Sequence, residues 1–209
     1  MQLYSYFRSS AAYRVRIAMN MLNVRYEQIP VNLVKGEQQS PQYLQVNPQG
    51  LVPALKLDDS QLLVQSGAIL EWLGENYPAP ALYPTDSVEK AHVRALCQTI
   101  GCDIHPINNL RVLKYLTSEL GVSDEQKTTW YQHWIALGFE ALESSIKASP
   151  YAFGDRVTML DIYLIPQVFN ALRFQQDMTA YPKIMAVYNA CNELDAFKAA
   201  APGVQPDAN

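Results

Sequence analysis

Tyr4-Ser5-Tyr6-Phe7-Arg8-Ser9-Ser10-Ala11-Ala12-Tyr13-Arg14-Val15-Arg16-Ile17-Ala18 reads as a strand that runs straight into a helix. Leu3, Tyr4, Tyr6 and Phe7 suit a pleated, half-buried surface. Val15, Ala18, Met19 and Leu22 recur at helical spacing. Ser9 and Ser10 stand at the changeover, where serine is a favoured N-cap. The first N–H groups of a helix lack intrahelical partners and carry partial positive charge. A hydroxyl delivered there by the end of a strand can donate to an anion at the helix end, with Arg8 beside it. The same residues also describe an ordinary capped helix. The local pattern leaves both readings open.

Working outward, the helix is predicted from Ser10 to Asn23 and a second strand from Arg25 to Leu33, with Pro30 marking an edge or an irregularity. Ser40 and Pro41 open a short helix to Val46, proline being suited to a first helical position. Asn47-Pro48-Gln49-Gly50 is a turn. Leu51 to Leu57 reads as a buried strand opened by Pro53. That proline either starts the strand or is cis, which would leave the Val52 backbone free to pair with a ligand. Asp58-Asp59-Ser60 and Gln61 to Val64 complete a hairpin, and Gln65-Ser66 precedes a helix from Gly67 to Tyr77. The order is β-α-β-α-β-β-α. Ser66 is a second serine at a helix start, so the two helix ends can share one anionic ligand.

Pro78-Ala79-Pro80-Ala81-Leu82-Tyr83-Pro84 is a linker with no periodicity. It divides the chain into domains at residues 1–80 and 86–209. Beyond it the pattern is helical. A long helix begins after Thr85-Asp86-Ser87 and is interrupted at Pro106. A further helix runs from Ile107 to Leu120, closed by Gly121. Ser123 with Gln126 resembles a capping box, as does Thr158 with Asp161 flanked by Val157 and Ile162. The helix from Met159 to Phe174 is apolar nearly all round and belongs at the centre of a bundle. Helices from Tyr181-Pro182 and from Leu194 to Ala200 follow, and Pro202 to Asn209 reads as a loose tail.

The 209 residues are 49% hydrophobic and 17% charged, enough apolar material for one large or two small domains. A net charge of −4 with scattered basic residues argues against nucleic-acid binding. No apolar run approaches the roughly 20 residues of a membrane span. The N-terminus lacks the features of a signal peptide. Cys97, Cys102 and Cys191 form no CxxC pair, which fits a reducing, cytoplasmic compartment. Cys102 and His105 have no second pair of ligands, so no metal is expected.

A β-α-β-α-β-β-α domain, a proline-rich linker and an all-helical second domain resemble the cytosolic glutathione transferases, with their thioredoxin-like N-terminal domain. The residues sharpen the likeness. Tyr-Ser-Tyr-Phe-Arg-Ser-Ser at 4–10 with Arg-Val-Arg-Ile-Ala at 14–18 resembles the zeta-class signature. Cys102 to Leu110, Pro166-Gln167-Val168, Arg173-Phe174 and Gln205-Pro206-Asp207 resemble bacterial maleylacetoacetate and maleylpyruvate isomerases. One position departs: Ala11 stands where the zeta signature has cysteine, so any role of that thiol is lost.

The resemblance implies glutathione as cofactor and a small diketo-diacid as substrate. It also implies a homodimer, with no nucleic-acid or membrane partner. Ser9 is then the donor to the glutathione sulfur, with Ser10 beside it. A free thiol has a pKa near about 8.5, and a hydroxyl donor at a helix N-terminus favours its anion. Gln65 and Ser66 hold the γ-glutamyl group, and Val52 ahead of Pro53 pairs with the cysteinyl part. Gln39, His105 and Asn109 line the same groove; His105 is either a proton-transfer residue or a groove-lining hydrogen-bond group. Arg8 and Arg173, with Arg111 as a third candidate, clamp the substrate carboxylates. Arg14 and Arg16 are read as structural, in salt bridges or on a solvated helix face. The implied reaction is cis–trans isomerisation of maleylacetoacetate by reversible thiolate addition. The alternatives are the same chemistry on maleylpyruvate, a broader zeta-class transferase, or a binding module that keeps only the fold.

Overall fold

The computed structural model describes residues 1–208. The chain packs as two compact units. One is Met1–Leu82 together with the chain from Asn192 onward; the other is Tyr83–Cys191.

The first unit holds a four-stranded sheet in the order β2-β1-β3-β4. β1 (Gln2–Ser5) lies parallel to β2 (Glu27–Pro30) and antiparallel to β3 (Ala54–Lys56), which pairs antiparallel with β4 (Leu62–Val64). Parallel pairing of β1 and β2 requires a crossover, and α1 (Ser10–Met21) provides it. Pro30 sits opposite Ser5 on the edge strand, where its missing N–H costs the sheet least. α2 (Pro41–Leu44) starts at Ser40, whose Oγ accepts from the Tyr43 N–H at 3.2 Å. α3 (Ser66–Asn76) packs against α1. Leu3, Val15, Ile17, Met19, Leu55, Ile69, Leu70 and Leu73 are fully enclosed between these layers. A second small cluster, Tyr6, Val31, Tyr43 and Val52, lies under the loops that end β1 and precede β3.

The C-terminal segment belongs to this unit, although its sequence pattern continues that of the helical domain. α9 (Asp195–Ala200) packs on α1. The expected loose tail is ordered through residue 208. A short 3₁₀ turn, Pro202–Val204, leads to buried Gln205. Asp207 then accepts hydrogen bonds from the Phe7 N–H at 2.9 Å and the Gln28 side chain at 3.2 Å. These contacts fix the tail through partners about two hundred residues earlier, which no local pattern reveals.

The second unit is helical. α4 (Ser87–Gln98) is capped by Asp86, whose carboxylate accepts from the Val88 and Glu89 N–H groups at 3.0 and 2.9 Å. It widens into a π-type turn, Thr99–Ile104, just ahead of Pro106. α5 (Leu110–Ser118), α6 (Asp124–Ser145), α7 (Met159–Arg173) and α8 (Pro182–Asn192) follow. Ser123 and Gln126 form the expected reciprocal capping box. Both the N–H and the hydroxyl of Thr158 donate to Asp161, at 2.7 and 3.0 Å, and the Ala152 N–H donates to its other oxygen at 2.8 Å. α7 is the central helix: Leu160, Ile162, Leu164, Ile165, Val168 and Ala171 are fully buried. Among the described residues, no helix is long and apolar enough to cross a membrane.

Candidate active site

Ser9 is the N-cap of α1. Its Oγ accepts the Ala12 N–H at 3.2 Å, which leaves its own proton to donate outward. It is half-buried, whereas Ser10 is buried as the first helical residue and Arg8 is exposed with its guanidinium 4.8 Å from the Phe7 ring. No acidic residue occupies the first turn of α1 or of α3, so both helix ends keep their positive character.

The second helix end is built around Gln65, an exposed residue with φ +70°, and buried Ser66. A non-glycine residue in that region is uncommon and costs about 1–3 kcal/mol, a strain found at ligand clamps. Arg14 Nη1 donates to Ser66 Oγ at 3.4 Å. Arg14 is 2% exposed, which rules out the solvated helix face that was one of the two expectations for it. Arg16 corrects the same expectation. It is fully buried, and its guanidinium donates to Ser5 Oγ at 3.0 Å, to Phe7 O at 3.0 Å and to Ala200 O at 3.0 Å. Burial pulls its pKa down to about 10. Its role is structural, as read, but it works from inside: it fixes the backbone just before Ser9.

The Val52-Pro53 peptide is cis. The ladder of β3 begins only at Ala54, so Val52 lies ahead of it. The turn before Val52 is rigidly made. Leu51 O accepts from Tyr43 Oη at 2.6 Å and from Asn47 Nδ2 at 2.7 Å, while Asn47 Oδ1 accepts the Gln49 N–H at 3.1 Å. Burial raises the Tyr43 pKa, so its phenol stays a donor. Gly50 has φ +61°, and the Gln39 amide nitrogen occupies the space a Cβ would need. Gln39 is thereby placed beside this turn, on the exposed side of a 3₁₀ segment. Gln49 was not anticipated: its Oε1 accepts from Gln65 Nε2 at 2.7 Å. The two are sixteen residues apart, and only the hairpin between them brings them together.

The helical unit carries the remaining candidates. His105 is half-buried after the π-type turn, with its N–H on Ile100 O at 2.9 Å. Asn109 is the N-cap of α5: its Oδ1 accepts the Arg111 N–H at 3.1 Å. Its side chain therefore has a visible structural task, which its sequence position did not reveal. Arg111 is exposed. Arg173 is the last residue of α7 and is exposed, although the helix itself is buried. Its guanidinium lies 4.9 Å from the Phe174 ring, and that ring stacks on buried Tyr131 at 3.7 Å. Burial lifts the Tyr131 pKa to about 12, with the Arg173 charge pulling the other way. A neutral phenol and an aromatic face hold Arg173 without consuming its charge.

The donor set of the first unit is hydroxyls, side-chain amides and helix-end N–H groups, with no acidic residue in the first turn of either helix, which suits an anionic peptide. Residues 3–81 match the family model described as glutathione S-transferase, N-terminal domain. The chain is 49% identical to a maleylpyruvate isomerase of Ralstonia sp over 99% of both chains. It is also 49% identical to a probable maleylacetoacetate isomerase of Vibrio cholerae over 99% of this chain and 97% of that one. Among solved structures, a bacterial zeta-class maleylpyruvate isomerase in its holo form matches with TM-score 0.97 at 48% identity, each chain fully covered. A maleylacetoacetate isomerase from Methylobacterium extorquens AM1, solved with bound malonate and glutathione, matches with TM-score 0.96 at 34% identity, also fully covered on both sides. The chain belongs to the glutathione transferases, within the zeta class that includes the maleylacetoacetate and maleylpyruvate isomerases.

Proposed function

We propose that this chain is a glutathione-dependent cis–trans isomerase that converts maleylacetoacetate to fumarylacetoacetate. The observation that carries the reading is the pair of serine-headed helix starts in one compact unit, α1 from Ser9 and α3 from Gln65-Ser66, joined by Arg14. Bound glutathione supplies a thiolate nucleophile whose reversible addition frees the maleyl double bond to rotate. Ser9 donates its proton toward the sulfur, and the α1 N-terminus favours the anion there, with Ser10 as the adjacent buried hydroxyl. Ser66 and the first N–H groups of α3 receive the γ-glutamyl carboxylate, and Gln65 the amine. Val52 offers its peptide group to the cysteinyl part, with Gln39 beside the turn that presents it.

Arg173 receives a substrate carboxylate, with Arg8 and Arg111 as further cationic candidates. A guanidinium binds carboxylate through two parallel bonds, which suits a diacid. The Methylobacterium relative was solved with bound malonate, a dicarboxylate, and glutathione, which fits a diacid substrate. By resemblance to the zeta class, His105 and Asn109 are further candidates for binding glutathione. Residues 1–80, with the C-terminal segment from Asn192 packed on them, form the glutathione-binding part, and helices α4 to α8 form the substrate side. A homodimer in the cytoplasm completes the proposal; all three cysteines are free thiols, which suits a reducing compartment.

Maleylpyruvate is the second reading, favoured by the Ralstonia relative and by Ala11 at the cysteine position of the signature. The test is to measure isomerisation of both diacids side by side, with and without glutathione. A glutathione-dependent rate is expected, and the ratio of kcat/KM chooses between the substrates. Glutathione binding without isomerisation of either diacid would replace the isomerase with a broader transferase. No glutathione binding at all would leave only a binding module of the same fold.

A further inference from the structure

The Asn47–Gly50 turn carries a side chain that the reading above does not use. Gln49 Oε1 accepts from Gln65 Nε2 at 2.7 Å. Gln49 is itself anchored, because its N–H donates to the side chain of Asn47, which is 1% exposed and tied to Leu51 O. Gln65 is anchored differently, by a backbone at φ +70° directly before the first turn of α3.

A glutamine amide has two chemically opposite ends, two donors on nitrogen and an acceptor oxygen. An ammonium group has only donors, so it can be received by the oxygen alone. An unrestrained Gln65 could turn either end toward the ligand. With its nitrogen committed to Gln49, its oxygen is the end that remains.

We propose that Gln49 is a positioning residue: it fixes the Gln65 amide with its oxygen turned toward the amino group of the γ-glutamyl moiety. The inference rests on the glutathione reading above and deepens it. It divides the recognition of an α-amino acid head between two neighbours. Ser66 and the start of α3 take the carboxylate, and Gln65, oriented by Gln49, takes the ammonium. An acceptor at position 49 is therefore required, whereas the size of the side chain is not.

The test uses two tripeptides, glutathione and glutaryl-cysteinylglycine, which lacks only the amino group. Dissociation constants are measured by calorimetry for the unmodified protein, Gln49→Met and Gln49→Glu. Methionine keeps the length of the side chain and removes the acceptor; glutamate keeps an acceptor. Gln49→Met is expected to weaken glutathione about fivefold to tenfold, the worth of one hydrogen bond, and to leave the deamino peptide nearly unchanged. Gln49→Glu is expected to bind glutathione as the unmodified protein does. KM for glutathione should follow its dissociation constant, with kcat at saturation held within about twofold. Equal weakening of both peptides in Gln49→Met, or no weakening of glutathione, would overturn the proposal. Failure of the unmodified protein to bind glutathione would instead overturn the underlying reading, and this one with it.

Discussion

Arg14 Nη1 donates to Ser66 Oγ across 3.4 Å, so a buried arginine of α1 touches the first residue of α3. The contact joins the two helix starts that the proposed ligand uses. It also occupies an acceptor site on Ser66 and thereby leaves the hydroxyl proton for the ligand carboxylate. Hydrogen bonds to charged groups are worth about 1.5–3 kcal/mol. Arg14→Met should lose about that much stability in urea unfolding and raise the dissociation constant for glutathione. Arg14→Lys should rescue little, because an ammonium lacks the planar fork. Lost stability with unchanged glutathione affinity would reduce Arg14 to a packing residue.

Ser9 has two separable tasks, and two substitutions separate them. As N-cap it receives the Ala12 N–H, and Ser→Ala at such a position costs about 1 kcal/mol, whereas Ser→Gly costs only a few tenths. As donor to a thiolate it has no substitute in either variant. Ser9→Ala and Ser9→Gly should both lower kcat by about a hundredfold, the usual loss of one preorganised donor. Only Ser9→Ala should be clearly destabilised. Ultraviolet titration of the bound thiol should show its pKa moving up toward about 8.5 in both. A normal kcat in Ser9→Gly would remove Ser9 as the sulfur donor.

Arg173 ends the buried helix α7 but is itself exposed, with its charge near the negative helix C-terminus and the Phe174 ring. Removing it should cost under about 1 kcal/mol of stability. Its effect on a diacid should be larger: Arg173→Ala should raise KM for the diacid about tenfold to a hundredfold, and Arg173→Lys should recover part of that. Tyr131→Phe, which keeps the stack on Phe174 and removes the hydroxyl, should raise KM by a smaller factor. If Arg173→Ala changes the melting temperature and leaves KM alone, the arginine is structural.

What could be read from the chain alone was what the chain decides locally. The caps at Ser9, Ser40, Ser123 and Thr158 each bond within three residues of themselves, and all four helices start there. The succession β-α-β-α-β-β-α was legible too, and of the two readings of Pro30, an edge or an irregularity, the edge is the one found. The arginines of α1 were misplaced for the opposite reason. Arg16 is buried by Ala200, 184 residues away, and no periodicity within one helix announces a partner at that distance. Asp207 could not be recognised as a clamp on Phe7, because a short polar terminus has the composition of a loose tail whether or not something receives it. Gln49 was hidden inside a turn whose composition already explained it.

Cys191 gives the chain a stability that depends on pH. The residue is fully buried, and its thiol donates to Asp161 Oδ1 at 3.8 Å. Burial first, and then the Asp161 charge, push its pKa well above the ordinary thiol range. The folded chain therefore holds a proton that the unfolded chain releases near about pH 8.5. The contribution is complete below that pH and shrinks as pH rises, by up to about 1.4 kcal/mol per unit. Tyr131, lifted to about 12 by burial, adds a loss of the same sign above about pH 10, where a free phenol ionises. Cys191→Ala deletes the first of these losses and keeps the second. Urea unfolding of both proteins between about pH 7.5 and about pH 10 should show the unmodified chain losing stability faster. The difference between the two should be greatest at the low end and narrow upward. Parallel curves would mean that the Cys191 thiol ionises alike in the folded and unfolded chains, and that its contact with Asp161 does not hold the proton.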